Sequence, residues 1–164
     1  MRFGGMWCLY LLLAVLAACS TPTTASEIYL VRHAEKATGE DPALTKEGME
    51  RANYLAAMLG DDRFIERVFS TDTQRTRQTA EPILRYVDTE VELYDARDLD
   101  AVAGMLFGTG VNQLVVGHSN TTPELAEALG CGPQAPMPET EYDRLIVVRV
   151  VGEDVDCRTE RYGG

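Results

Sequence analysis

The chain has 164 residues and a formal net charge of −11, with 26 acidic against 15 basic side chains. That length suits one domain with a substantial core, and the ordinary composition argues against a disordered or fibrous chain. The acidic balance disfavours non-specific nucleic-acid binding, which needs a cationic footprint, so an anionic ligand would require a local cationic pocket.

From the amino terminus, Arg2 gives a positive start and Met6 to Ala18 forms an apolar run too short to span a bilayer comfortably. The run ends in LAAC, Leu16 to Cys19, followed by STPTTAS. This resembles the signal and lipobox of bacterial lipoproteins. The resemblance implies removal of residues 1–18, lipidation of Cys19 and a flexible Thr/Ser/Pro tether over 19–26, leaving a domain of residues 27–164. An ordinary secretory signal is the alternative, and either one exports the protein. Ser20 fits lipid anchoring in the outer membrane, facing the periplasm, if the cell is Gram-negative. Loss of Arg2 with the signal brings the net charge to −12. Cys131 and Cys157 then remain free to pair in an exported compartment, with two buried thiols as the other reading.

Within the domain, strand and helix signals alternate. Ile28 to Val31 is a short apolar strand ending in Arg32 and His33. Thr45 opens a helix in which Met49, Ala52, Leu55, Ala56 and Leu59 recur at helical spacing before a terminating Gly60. RVFS predicts a second strand, and TDTQRTRQTAEPILRYV a helix opened by the capping-box pattern Thr71 to Gln74 and kinked at Pro82. VELY predicts a third strand, LDAVAGMLF a helix, and QLVVG a fully apolar fourth strand. Thr122 and Pro123 suit the cap and first position of a helix ending near Gly130. A Pro-rich loop around Gln134 to Pro138 leads to the long strand RLIVVRVV, followed by an edge strand near Arg158 to Tyr162. This order predicts an α/β fold: one domain of three α/β/α layers with a mainly parallel sheet and an antiparallel edge.

Ligands of open α/β sheets bind beyond the carboxyl ends of the strands. Arg32 and His33 follow the first strand, Ser70 ends the second, and His118, the other of only two histidines, follows the fourth. Arg75 and Arg77 fall in the opening turns of a helix, where the macrodipole disfavours cations unless an anion joins them. Arginine, present thirteen times against two lysines, suits forked recognition of phosphate, although a composition bias would produce the same excess.

Four motifs in order, LVRHAEK at 30–36, LTKEGMERA at 44–52, STDTQRTRQTA at 70–80 and VVGHSN at 115–120, resemble the histidine phosphatase superfamily, also called phosphoglycerate mutase-like. The small bacterial branch of phosphohistidine phosphatases and short phosphomonoesterases is the most similar. The resemblance implies that His33 is a nucleophile that takes the phosphoryl group, while Arg32, Arg75 and His118 clamp its oxygens. It implies no cofactor and no metal, and two distant histidines make a poor metal set in any case. His33 must be neutral to attack and His118 works best carrying a proton, so their pKa values should be pushed apart. Glu35 is expected to orient the loop. Ser70, Thr71, Thr79 and Arg77 are either pocket residues or structural ones, and Asn120 either lines the pocket or shapes a turn. Ser119 stands where the acid-phosphatase branch has its aspartate, which excludes that branch. In the segment VELYDARDLD, Asp95 is the nearest candidate for the general acid, with Asp98 and Glu92 as neighbours, and a loop cap is the competing role.

The expected activity is metal-independent hydrolysis of phosphomonoesters or phosphohistidine, on a small molecule or a protein, in an open, uncapped pocket. Partners would be that phosphorylated substrate and, through the lipid, a membrane. The alternative is a non-catalytic envelope lipoprotein that binds phosphate, another anion or a partner protein. Oligomeric state and physiological substrate are not encoded legibly.

Overall fold

The computed structural model describes residues 25–163. The signal, Cys19 and most of the tether lie outside the described residues. Among those described, strands β1 (Ser26–Arg32), β2 (Arg67–Ser70), β3 (Val91–Leu93), β4 (Gln113–Gly117), β5 (Arg144–Val151) and β6 (Asp154–Arg161) form one sheet in the order β3-β2-β4-β1-β5-β6. β1, β2, β3 and β4 pair in parallel, and β5 and β6 add antiparallel. The turn Gly152 and Glu153 joins the last two strands tightly, with Gly152 at a φ of 64° that favours glycine.

Helices cover both faces. Alternate residues of β1 divide between two cores: Tyr29 and Val31 pack with Leu55, Ala56 and Leu59 of α1 (Lys46–Asp62) and with Ala80 of α2 (Gln74–Ala80). Ile28 and Leu30 pack with Val102 and Leu106 of α3 (Leu99–Phe107) and Leu125 of α4 (Thr121–Ala126). A strand segment buried on both faces is apolar, which is why Ile28 to Val31 and Leu114 to Val116 lack the alternation of a surface strand. This is the expected three-layer α/β/α arrangement.

Several element ends differ from the sequence expectation, each for a visible reason. Gly60 does not terminate α1, which continues to Asp62; a side chain there would lie 2.4 Å from Tyr86 Cβ, so the glycine serves close packing. The cap of α2 is Thr73, whose hydroxyl accepts from Thr76 N, because Thr71 is engaged elsewhere. Pro82 does end regular α-helix: residues Glu81–Arg85 continue as a 3₁₀ turn. α4 starts at Thr121, one residue earlier than the predicted cap, since Thr122 N already bonds His118 O. The chain also enters β1 at Ser26, paired with Val150, so the last tether residue belongs to the sheet.

Cys131 and Cys157 are bridged. Their separation of 26 residues closes a loop whose constraint on the unfolded chain stabilises by roughly 3 kcal/mol in the chain-entropy picture. The bridge joins the end of the helical segment after His118 to the edge strand β6, fixing one wall of the fold.

Candidate active site

Strand register brings the two histidines together. Arg32 is the partner of Gly117 across the parallel pair β1 and β4, and His33 N donates to Gly117 O at 2.9 Å. The next residues, His33 and His118, therefore leave adjacent strand ends, and their rings meet edge to face with centroids 5.6 Å apart. No long-range accident is needed, because neighbouring strands are themselves under 5 Å apart, roughly 4.8 Å.

His33 is 3% exposed, and its Nδ1 lies 2.8 Å from Ala34 O. A carbonyl only accepts, so Nδ1 carries the proton of the neutral ring and Nε2 keeps its lone pair. Ala34 is fixed in turn, its N–H donating to Thr79 Oγ1 at 3.0 Å, while the Thr79 hydroxyl donates to Arg75 O. The following residue, Glu35, receives Arg51 Nε at 2.9 and 3.0 Å, and Arg51 also holds the carbonyls of Tyr162 and Gly163. Gly48 of α1 rests against the same loop: a Cβ there would lie 2.1 Å from Glu35 O. Glu35 thus orients the loop as expected, and Thr79 is a positioning residue.

His118 Nε2 lies 2.9 Å from Thr71 Oγ1, whose own hydroxyl donates to Thr76 Oγ1, so the ring donates from Nε2. Its Nδ1 accepts from Arg75 Nη2 at 3.4 Å. Arg75 also approaches Asp41 at 3.5 Å, and Asp41 accepts from Gln74 N at the start of α2. Arg32 is 2% exposed and lies 4.4 Å over the Tyr142 ring. It donates through Nη1 to Pro138 O and Glu141 O, and through Nη2 to Glu139 Oε2 at 2.7 Å. The Nε of Arg32 and the Nε of Arg75 are buried with no partner among the described residues.

The electrostatics depart from the expectation in one respect. Both histidines are lowered to about 4, chiefly by burial, and then by the nearby guanidinium charges; at His33 the Ala34 hydrogen bond partly opposes this. At neutral pH both rings are therefore neutral, and the values are not split. A dianion between them would supply the opposite charge that His118 lacks.

The remaining candidates are distributed as follows. Asp95 lines, with Thr71 and His118, a cavity of about 480 Å³, but Arg97 grips its carboxylate and holds it at about 2. Asp98 caps α3, and Glu92 pairs with Arg67. Arg77 is turned to Asp72 on the surface. The Ser70 hydroxyl donates to Thr71 O. Asn120 is exposed and lines a separate cavity of about 350 Å³ with Ser119, Glu124 and Met137.

The loop around Gln134 to Pro138 was expected, but not its role: residues 132–143 cover the Arg32 side of a pocket expected to be open. Arg144 pins that loop by donating to Ala135 O, Pro136 O and the Glu141 carboxylate. From it Glu139 bridges Arg32 and Ser119, whose hydroxyl donates to Oε1 at 2.7 Å; Ser119 and Arg32 hold its carboxyl below the ordinary range. The one signal available was the strand-end arginine itself, since a buried guanidinium must find acceptors somewhere.

Two neutral imidazoles in contact, with two guanidinium charges acting on both, form a cationic cluster in an acidic molecule. Residues 28–100 match the histidine phosphatase superfamily, branch 1. That span carries Arg32, His33, Arg75 and Asp95, and His118 follows it. Solved structures extend the likeness in fold over most of the chain. The protein histidine phosphatase SixA complexed with tungstate aligns with a TM-score of 0.64 at 22% identity, over 83% of this chain and 95% of that one. Phosphoglycerate mutase from Plasmodium falciparum gives 0.57 at 20%, over 85% and 91%. A mycobacterial glucosyl-3-phosphoglycerate phosphatase gives 0.60 at 14%, over 84% and 98%. At such identities the likeness is one of fold. No curated protein matches the chain in sequence.

A folded-state pKa below the ordinary 6.5 makes both histidines refuse protons that the unfolded chain accepts. Stability is therefore expected to fall as pH drops from about 6.5 toward about 4. Histidine ring signals followed by NMR in phosphate-free buffer should titrate with midpoints near 4; midpoints near the unperturbed value would contradict this site.

Proposed function

We propose that this protein is a metal-independent phosphatase that hydrolyses phosphomonoesters or phosphohistidine through a phosphohistidine at His33. The observation that carries the reading is the Nδ1 hydrogen bond to Ala34 O, which leaves Nε2 as an unprotonated nucleophile beside two guanidiniums. Nε2 attacks phosphorus in line as the leaving-group bond breaks, and water then displaces the imidazole, so one hard step becomes two easier ones. Arg75 and Arg32 meet the charge that spreads over the equatorial oxygens. His118, neutral at its lowered pKa, gains a proton as the dianion arrives and then donates to it. Likeness to SixA and to a sugar-phosphate phosphatase is in keeping with phosphatase chemistry.

Hydrolysis of p-nitrophenyl phosphate in EDTA is the test. His33→Ala is expected to lower kcat/KM by more than about 10³-fold, and Arg75→Ala by about 10²-fold. Tight phosphate binding without turnover, across a broad panel of esters and phosphohistidine, would instead favour the non-catalytic anion-binding lipoprotein.

We also propose that the enzyme is exported and lipid-anchored in the cell envelope, on the resemblance of residues 1–20 to a lipoprotein signal. A disulfide within the domain is in keeping with an oxidising compartment. Palmitate is expected to label Cys19 in a globomycin-sensitive manner, and lack of label would exclude the anchor.

A further inference from the structure

We propose that Glu139 is the proton donor to the leaving group, a role that rests on the phosphatase reading above. In-line displacement fixes the direction of departure: the leaving oxygen lies on the side of phosphorus away from Nε2 of His33. His33 is 3% exposed at the floor of the site, whereas the Glu139 side chain is 73% exposed at its mouth. Departure toward solvent is the direction in which an exposed carboxylate such as Glu139 can meet the leaving oxygen.

The carboxylate spans that mouth. Oε2 is 2.7 Å from Arg32 Nη2, and Oε1 is 2.7 Å from the hydroxyl of Ser119, the residue next to His118. A phosphoryl group held between Arg32 and His118 would lie within reach of it. The backbone is pinned on both sides of residue 139, because Arg32 Nη1 binds the carbonyls of Pro138 and Glu141. Only the side chain need turn to hand over a proton. Asp95 and Asp41 are likewise ion-paired, with Arg97 and Arg75, but neither contacts Arg32.

Substrate changes the surroundings of Glu139. When a phosphoryl dianion takes the fork of Arg32, a carboxylate left beside it faces like charge, and the protonated form is favoured. That proton arrives with a monoanionic ester or from solvent. As Nε2 bonds to phosphorus and the ester P–O bond breaks, the carboxyl gives its proton to the departing oxygen. The carboxylate then takes a proton from the water whose oxygen attacks phosphorus while the P–Nε2 bond breaks. Alcohol and hydrogen phosphate leave, the proton that entered with the ester or from solvent is released as Arg32 takes the carboxylate back, and both residues return to their starting states with the Nδ1 proton of His33 undisturbed. Such a donor brings alkyl phosphates, whose leaving groups are poor, within the substrate range.

The test compares p-nitrophenyl phosphate with benzyl phosphate, similar in shape but very different in need of protonation, for wild type, Glu139→Gln and Glu139→Asp. kcat/KM reports the steps through leaving-group departure. Glu139→Gln is expected to lose about 10²-fold more on the benzyl ester than on the nitrophenyl ester, and Glu139→Asp to recover part of that difference. Equal losses on both esters would mean a structural role, and gains on both would mean a plug over Arg32; either overturns the proposal. Wild type that cleaves the nitrophenyl ester but not the benzyl ester also overturns it, while leaving the phosphatase reading intact. Wild type that cleaves neither ester nor phosphohistidine overturns both.

Discussion

One hydrogen bond, from Nδ1 of His33 to the carbonyl of its own neighbour Ala34, decides what the site can do. It selects the tautomer with a free Nε2, and burial together with nearby guanidiniums keeps the ring from protonating. Much of the surrounding architecture fixes that carbonyl. Thr79 holds Ala34 N, Arg51 holds Glu35, and Gly48 lets α1 approach the loop backbone more closely than any side chain would permit. A slip of one residue between β1 and β4 would separate the two imidazoles, so the parallel register is as much a part of the site as the side chains.

Charge is arranged against the overall trend of the molecule. An acidic chain concentrates two arginines at one sheet rim and gives each a carboxylate partner, Glu139 on Arg32 and Asp41 on Arg75. These pairs differ in depth. Arg32 is buried and tied to two carbonyls as well, so it is held in place whatever Glu139 does, whereas the Glu139 side chain stands largely in solvent. A phosphoryl dianion offers more charge and more acceptor oxygens than either carboxylate, and it competes for donors already oriented.

The parts of the fold legible in the sequence were those set by local pattern. Apolar runs such as QLVVG, the alternation of strands and helices, and the breaking effect of Pro82 all follow from short-range sterics and burial. His33 and His118 were legible because both follow apolar strands, and strand ends of an α/β sheet share a rim. Long-range choices were not legible. Glu139 reaches Arg32 across 107 residues of chain, Gly60 answers to Tyr86, and Thr71 leaves its capping position to Thr73 because His118 engages it. The expectation that the two histidines would titrate apart is not met, because burial and two guanidiniums act on both rings alike. Asp95 was singled out by its segment, yet Arg97, two residues on, takes its carboxylate.

The central claim, that the phosphoryl group passes through His33, is tested most directly by trapping it. Turnover of a phosphate ester is stopped with denaturant at alkaline pH, where a phosphoramidate survives, and the peptides are mapped by mass spectrometry. A phosphoryl adduct on His33 that forms and decays at the rate of turnover is the predicted result. Turnover with no adduct, or with the phosphoryl group on another residue, would contradict the account.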